Sequence, residues 1–412
     1  HSVDPHPRRD RRSLVTSPTA RSTLLTPRFV ALVSGVTLYF LGLNMTLSVL
    51  PLFVEGELGG TDAQVGIAVS SFGLAAACSR PVIGPLGDRH GRQRLIVSGA
   101  IVAGLATIAT ATATSLGMVI AFRALAGLGE AAVFVGAASA AQDLATDERR
   151  GEAASYFSLA IYSSLFLGPP LGEWISETFG NDTAWVLAGG LAVLAASTGI
   201  VAPGAPTEPP PKPERRVLLH RAALRPGAVL FLGLLGYTGF LAFAALHAEE
   251  VGIANTGTVF TVFALVIIFL RIFAAKLPDQ LGPIRTSRIS LSCGAVGLAV
   301  LAVWTEPVGV YVGAAILAVA QSFLFPALFA LVVDDAPDAE RSHAISTLSM
   351  FFDLAFGLGG PVIGLVSDTF DRSTAFAVSA GIATFALAVC GRILGDVTPS
   401  ISVREIGPRS RR

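Results

Sequence analysis

Arg123 and Glu130 lie seven residues apart in the apolar run Leu116–Gln142, while Arg80 and Asp353 each interrupt an apolar run of their own, Ala63–Leu86 and Ala344–Val366. Charge in such surroundings is expensive unless it is paired. A carboxyl placed there can take up and release a proton, and a guanidinium can hold an anion. On a helix, seven residues are two turns, so Arg123 and Glu130 share a face but stand roughly 10 Å apart. They cannot close on each other, and each needs water, another helix or a substrate as partner. No other chemistry competes. There is no G-x-x-x-x-G-K-[ST] loop for nucleotide hydrolysis and no Ser/His/Asp set. Cys78, Cys293 and Cys390 all sit in apolar runs, which supports neither a disulfide framework nor a metal cluster. Neither an enzyme nor a cofactor is expected.

The elements that must position these residues follow from composition. The 412-residue chain is 52% hydrophobic and only 14% charged, where soluble domains carry about a quarter charged residues. Twelve apolar segments are long enough to cross a bilayer: 29–53, 63–86, 95–113, 116–142, 153–174, 184–201, 228–247, 257–275, 287–304, 308–333, 344–366 and 375–394. Backbone groups cannot stay unpaired in lipid, and alternating ten-residue strands are absent, so the segments are predicted helices. Loop charge sets their orientation. Arginines fill the amino tail, the loops after segments two, four, eight and ten, the central linker and the carboxyl tail. The opposite loops hold one base, Arg372. The positive-inside rule then places both termini in the cytoplasm of a multi-pass protein of the inner cell membrane. The expected organisation is a cytoplasmic tail at 1–27, a six-helix bundle at 28–202, a Pro-rich linker at 203–226, a second bundle at 227–396 and a tail at 397–412.

The two bundles are copies. Arg80 and Arg271, Leu86 and Leu277, Asp88 and Asp279, Gly91 and Gly282 are each 191 residues apart, and so are Asp143 and Asp334, Gly168 and Gly359, Pro170 and Pro361. Parallel duplication of six-helix halves is a transporter architecture with its site near the midplane. Depth allows one contact between the halves. Arg80 lies eight residues from Asp88 at the inner end of its helix and Asp353 about nine from Ala344 at the inner start of its own, so the two are expected to pair if segments two and eleven meet, as the family resemblance set out next implies. The 191-residue shift turns that pair into Arg271 against Tyr162. The competing placement has Asp353 facing the cavity and meeting substrate.

At these residues the chain resembles the major facilitator superfamily, most of all its bacterial drug:proton antiporter branch. Gly84-Pro-Leu-Gly-Asp88-Arg89-His-Gly91-Arg92-Gln-Arg-Leu95 is similar to the family's signature between helices two and three, Arg123-Ala-Leu-Ala-Gly127-Leu-Gly129-Glu130 to its fourth-helix signature, and Gly168-Pro169-Pro170-Leu-Gly172 to the fifth-helix motif of the antiporters. Glu173 departs from that last motif, where glycine is usual, and in the second copy Ala275, Pro283 and Ile284 replace a glycine and basic positions. The resemblance implies an all-helical fold of twelve transmembrane helices in two parallel repeats. It also implies a gate of Arg80, Asp88, Arg89, Gly91, Arg92 and Asp279, and proton coupling through Glu130, Arg123 and Asp353. Helix packing would use Gly168, Pro169, Pro170, Gly172, Gly359, Gly360 and Pro361. The bland alternatives are a loop ion pair at Asp88 that only pins topology, Arg123 snorkelling to the outer surface, and a protonated Glu130 that merely packs.

Tyr39, Asn44, Tyr162, Tyr237, Gln321 and Phe325 are the cavity candidates, with Gln321 the repeat equivalent of Glu130. His247, Glu249 and Glu250 read as a solvated rim. The expected function is proton-driven efflux of a small hydrophobic or amphiphilic compound by alternating access, carried out by a monomer with no nucleic-acid partner. Proton-linked uptake of a sugar or organic acid, and a non-transporting receptor or scaffold, are the alternatives.

Overall fold

A computed structural model describes residues 24–146, 149–202, 219–274, 277–336 and 341–395. Among them every regular element is a helix. The first half is α1 (Pro27–Gly56), α2 (Asp62–His90), α3 (Arg92–Ala109), α4 (Leu116–Asp143), α5 (Arg150–Phe179) and α6 (Asn181–Ala196). The second is α7 (Arg221–Glu250), α8 (Gly257–Phe273), the five-residue α9 (Leu277–Leu281), α10 (Pro283–Val303), α11 (Pro307–Asp335), α12 (Arg341–Thr369) and α13 (Arg372–Leu394). Ten of these are long and apolar enough to span a membrane. Two more complete the twelve. The apolar α8 has 17 residues, and the 30-residue α5 carries Glu152, Glu173 and Glu177.

The duplication is visible in the packing. Within the first half α1 packs on α5 and α6, α4 on α2 and α3, and α3 on α6. The second half repeats every pairing, with α7 on α12 and α13, α11 on α8 and α10, and α10 on α13. Gly91 and Gly282, one repeat apart, both turn the chain with positive φ, 89° and 78°. An L side chain is strained in that conformation, so a glycine is required at each place.

Two boundaries differ from the sequence reading. The charged signature at 84–90 is helix rather than loop, and only Gly91 turns. α7 begins at Arg221, inside the stretch read as linker, because Pro226 sits close enough to the helix start to cost only one backbone bond. The expected tails and the remaining linker, 1–23, 203–218 and 396–412, lie outside the described residues.

The halves meet along α2–α12 and α5–α8. At both interfaces backbone touches backbone. A Cβ on Gly66 would overlap the Gly360 carbonyl, and a Cβ on Gly257 would overlap the Pro169–Pro170 peptide. Positions 66 and 257 are one repeat apart, as are 169 and 360, so one close approach occurs twice. The prolines shape the second. Pro170 has no N–H to bond the Phe166 carbonyl, and Thr261 of α8 donates to that oxygen instead at 2.9 Å. Ser48 of α1 likewise donates to the Pro169 carbonyl at 2.8 Å. Gly168 and Gly172 abut the α1 backbone at Asn44 and Met45, and Gly359 abuts Thr238 of α7. Small residues at these places let helices pack closely where lipid gives no hydrophobic drive.

Gly66→Val and Gly257→Val should each lower stability in detergent by about 1–3 kcal/mol, the usual range for overpacking. Gly190→Val, at a position with nothing within 4 Å, should be near neutral, and chemical denaturation of the three variants checks the contrast.

Candidate functional site

Arg80 Nε of α2 lies 3.1 Å from Asp353 Oδ2 of α12, an ion pair across the two halves, with the side chains 24% and 7% exposed. The guanidinium also stacks over Phe134 of α4, 5.2 Å from the ring centre. The equal depths argued from the sequence therefore do bring these two residues together. The repeat-related contact is also present. Arg271 Nη2 of α8 donates to the Tyr162 hydroxyl of α5 at 3.4 Å and lies over its ring at 4.9 Å. One interface carries the charged version and the other the neutral one.

Glu130 and Arg123 are both buried in α4. Arg123 does not snorkel. Its Nη1 donates to the Thr46 hydroxyl of α1 at 3.3 Å, and its plane covers Phe72 of α2 at 4.6 Å. Glu130 lies in the field of Arg80 and Asp353, and Tyr39 in that of Glu130 and Arg123. α1, α2, α4 and α12 thus each bring a titratable side chain towards the protein interior, where charges act on one another more strongly than in water.

The signature residues sit at the arginine-rich face. Arg92 Nε reaches Asp143 Oδ2 of α4 at 3.5 Å. Arg89 is exposed near the end of α2. Asp88 and Asp279 fall on the helical backbone of α2 and α9, and their side chains lie outside the described residues.

Of the cavity candidates, Tyr39, Asn44 and Tyr237 are buried, and Gln321 and Phe325 are half-buried. The Asn44 amide nitrogen has no partner among the described residues. Tyr237 stacks on Phe240 and Phe263 and meets Phe356 edge-on. Phe356 stacks on Phe352, which in turn meets Phe325. The first half thus brings polar groups to the centre and the second an aromatic wall. Tyr162 lines one of two cavities found among the described residues, and the other candidates line neither of these. One, of about 370 Å³, opens near the arginine-rich face between α5, α8 and α11, where Glu152, Tyr162 and Arg271 border it. The other, of about 580 Å³, opens at the opposite face and is bordered by Glu55, Glu173, Glu177, Glu249, Glu250 and Arg372.

That opposite face holds residues that sequence reasoning undervalued. Arg372, noted only as a lone base, bonds four acidic oxygens. It makes a fork on Asp62 at 2.9 and 3.1 Å, reaches Glu55 at 2.7 Å, and reaches Glu250 at 2.6 Å. Asp62 also accepts from the Ser367 hydroxyl. The clamp therefore ties α1 and α2 to α7, α12 and α13. The sequence showed that Arg372 is the one strong base on this side, but not which acids it gathers. His247, read as part of a solvated rim, is instead 2% exposed against Phe376, with Nδ1 3.6 Å from Glu250. The terminal turns of α7 are covered by neighbours even though Glu249 and Glu250 reach water. Glu173 is 3% exposed and bonded to the start of α8. Among the described residues no cluster of three His, Cys, Asp or Glu could hold a metal ion.

Comparison with known proteins agrees with this architecture. The profile described as Major Facilitator Superfamily matches residues 32–308 and again 227–407. An uncharacterized MFS-type transporter of Salmonella typhimurium (strain LT2) is 31% identical over 372 residues, 88% of this chain and 95% of the relative. One from Burkholderia mallei (strain SAVP1) is 29% identical over 382 residues, 89% and 93%. Among solved structures, a mutant of the peptide transporter POT in complex with alafosfalin superposes with a TM-score of 0.75 at 16% identity, covering 89% of this chain and 94% of that one. The nucleoside transporter NupG gives 0.70 at 13%, covering 90% and 99%. A duplicated set of twelve helices, joined across its halves by an ion pair and matched along nearly its whole length by that family, makes this chain a membrane transporter of the Major Facilitator Superfamily.

Proposed function

We propose that the protein is a proton-coupled exporter of a small hydrophobic or amphiphilic compound, of the drug:proton antiporter kind, with the arginine-rich face in the cytoplasm. One observation carries the reading: a buried carboxyl, Glu130, lies in the field of the Arg80–Asp353 ion pair that joins the halves. A proton that enters from outside onto Glu130 passes to Asp353, which then loses its hold on Arg80, so the halves can part at the cytoplasmic face. There the proton leaves, and the ionised Asp353 takes Arg80 back and draws α2 against α12. Arg271 is held by a phenol rather than a carboxylate and serves as a pivot. Arg123, two turns from Glu130 on the same helix, stays fixed by Thr46 and Phe72 through the cycle. The energy source is the proton gradient, and the aromatic wall of the second half, with Tyr237 and Phe325, supports an apolar substrate. Charge placement supports an inner-membrane protein with both termini cytoplasmic.

Glu130→Gln should abolish transport driven by a pH gradient while substrate exchange without a gradient persists. Everted vesicles measure both, and unchanged gradient-driven transport would remove Glu130 from the mechanism. The same vesicles decide direction, since an importer would show no proton-driven accumulation there.

Arg80→Asp and Asp353→Arg should each lose transport, with the pair broken at a cost near the lower end of about 3–5 kcal/mol because Arg80 is 24% exposed. The double swap should recover transport. A folded double variant with no recovery would show that the ion pair itself is not what matters.

A further inference from the structure

We propose that Glu173 is a second proton-binding carboxyl, reached from the acidic face, whose protonation releases α8 from α5. The inference goes beyond the reading above and does not depend on Glu130. Glu173 replaces the glycine expected in its motif, and its repeat equivalent 191 residues on is Gly364, so it belongs to one copy only. Gly364 meets the α2 backbone at Asp62 and Ala63. In the α5–α8 interface a carboxylate fills the same place.

The geometry states what that carboxylate does. Oε1 accepts from the Thr256 backbone N–H at 2.7 Å. Oε2 accepts from the Thr256 hydroxyl at 2.8 Å and from the Gly257 N–H at 2.5 Å. α8 has no side-chain cap of its own. A residue of the first half therefore caps the opening turn of a helix in the second, and its negative charge faces the positive end of that helix. Both backbone partners are donors. A carboxyl protonated on Oε1 meets the Thr256 N–H with an O–H, and one protonated on Oε2 meets the Gly257 N–H. Either way a backbone bond is broken or weakened, and the charge that strengthens all three bonds is lost. Only the Thr256 hydroxyl can reverse its role.

The proton has a route. Glu173 borders the cavity of about 580 Å³ at the acidic face. The charged groups around it are Glu177 on its own helix, Glu55 of α1, Glu249 and Glu250 of α7, and Arg372 of α13. Asp182 lies in the first turn of α6, and α8 offers only Arg271 at its far end. Four cavity carboxylates against one guanidinium draw cations, protons included, towards Glu173. A proton arriving from this face would thus act on the latch that keeps the same face shut, while the Arg372 clamp holds the α2–α12 side.

The test uses the full chain, with Cys78, Cys293 and Cys390 replaced and spin labels at Thr178 of α5 and Ala254 beside the start of α8, in lipid nanodiscs. In the otherwise wild-type protein the label distance should lengthen on going from mildly alkaline to mildly acidic buffer. Glu173→Gln, which presents an N–H where an acceptor is needed, should show the longer distance at both. Glu173→Asp should keep the pH response. Glu130→Gln should keep it too, which separates this proposal from the coupling role assigned to Glu130. Should Glu173→Gln fail to fold, Thr256→Val removes one donor and should move the response to higher pH. A short distance with a wild-type pH response in Glu173→Gln, or an unmoved response in Thr256→Val, would overturn the proposal.

Discussion

Two backbone-to-backbone contacts, Gly66 on Gly360 and Gly257 on the Pro169–Pro170 peptide, set the distance between the halves. In lipid, helices gain little from hiding apolar surface from one another, so adhesion comes from packing and from whatever polar bonds close approach allows. Once α2 lies on α12 and α5 on α8 at that spacing, side chains elsewhere along the same helices come within bonding range. Ser70 donates to the Phe356 carbonyl at 2.9 Å, Thr261 to that of Phe166, Arg80 reaches Asp353, and Arg271 reaches Tyr162. The two short hydroxyl bonds, from Ser70 and Thr261, depend most on that spacing, because neither side chain can stretch to cover a wider gap.

The duplicated frame is then used unequally. At the arginine-rich end one interface is ionic and the other is a phenol under a guanidinium. At the acidic end one is held by the Arg372 clamp, the other by Glu173. A symmetric pair of hinges would open alike. With different chemistry on each, the two can respond to different events, and protonation is the event to which Glu130, Asp353 and Glu173 are all suited.

Much of this was legible in the residues. A fixed 191-residue offset is arithmetic, and it survives as matched helix pairings and as the positive-φ pair Gly91 and Gly282. The Arg80–Asp353 contact needed two sources: depth, because a one-dimensional sequence does encode how far along a helix a residue lies, and the family resemblance, which implied that their helices meet. It does not encode the rotation of a helix or which neighbour covers its end. That is why His247 was read as wet, why Glu173 stood out only as a departure from pattern, and why the partners of Arg372, spread over α1, α2 and α7, were invisible. Tyr39 and Tyr237 illustrate the same limit: spacing places them near the centre, and packing decides that they are buried against other side chains.

The position of Arg372 in the chain has a consequence for how the protein is made. Glu55 and Asp62 are synthesised early and Glu250 past the middle, and the loops on their side of the membrane supply no other base. These three carboxylates therefore repel one another while helix after helix enters the bilayer. The cation that gathers them arrives only with the first residue of α13. Until then Arg80 and Asp353 can join the halves near the arginine-rich face, but nothing gathers the carboxylates at the opposite one, so that face closes only after most of both bundles is in the bilayer.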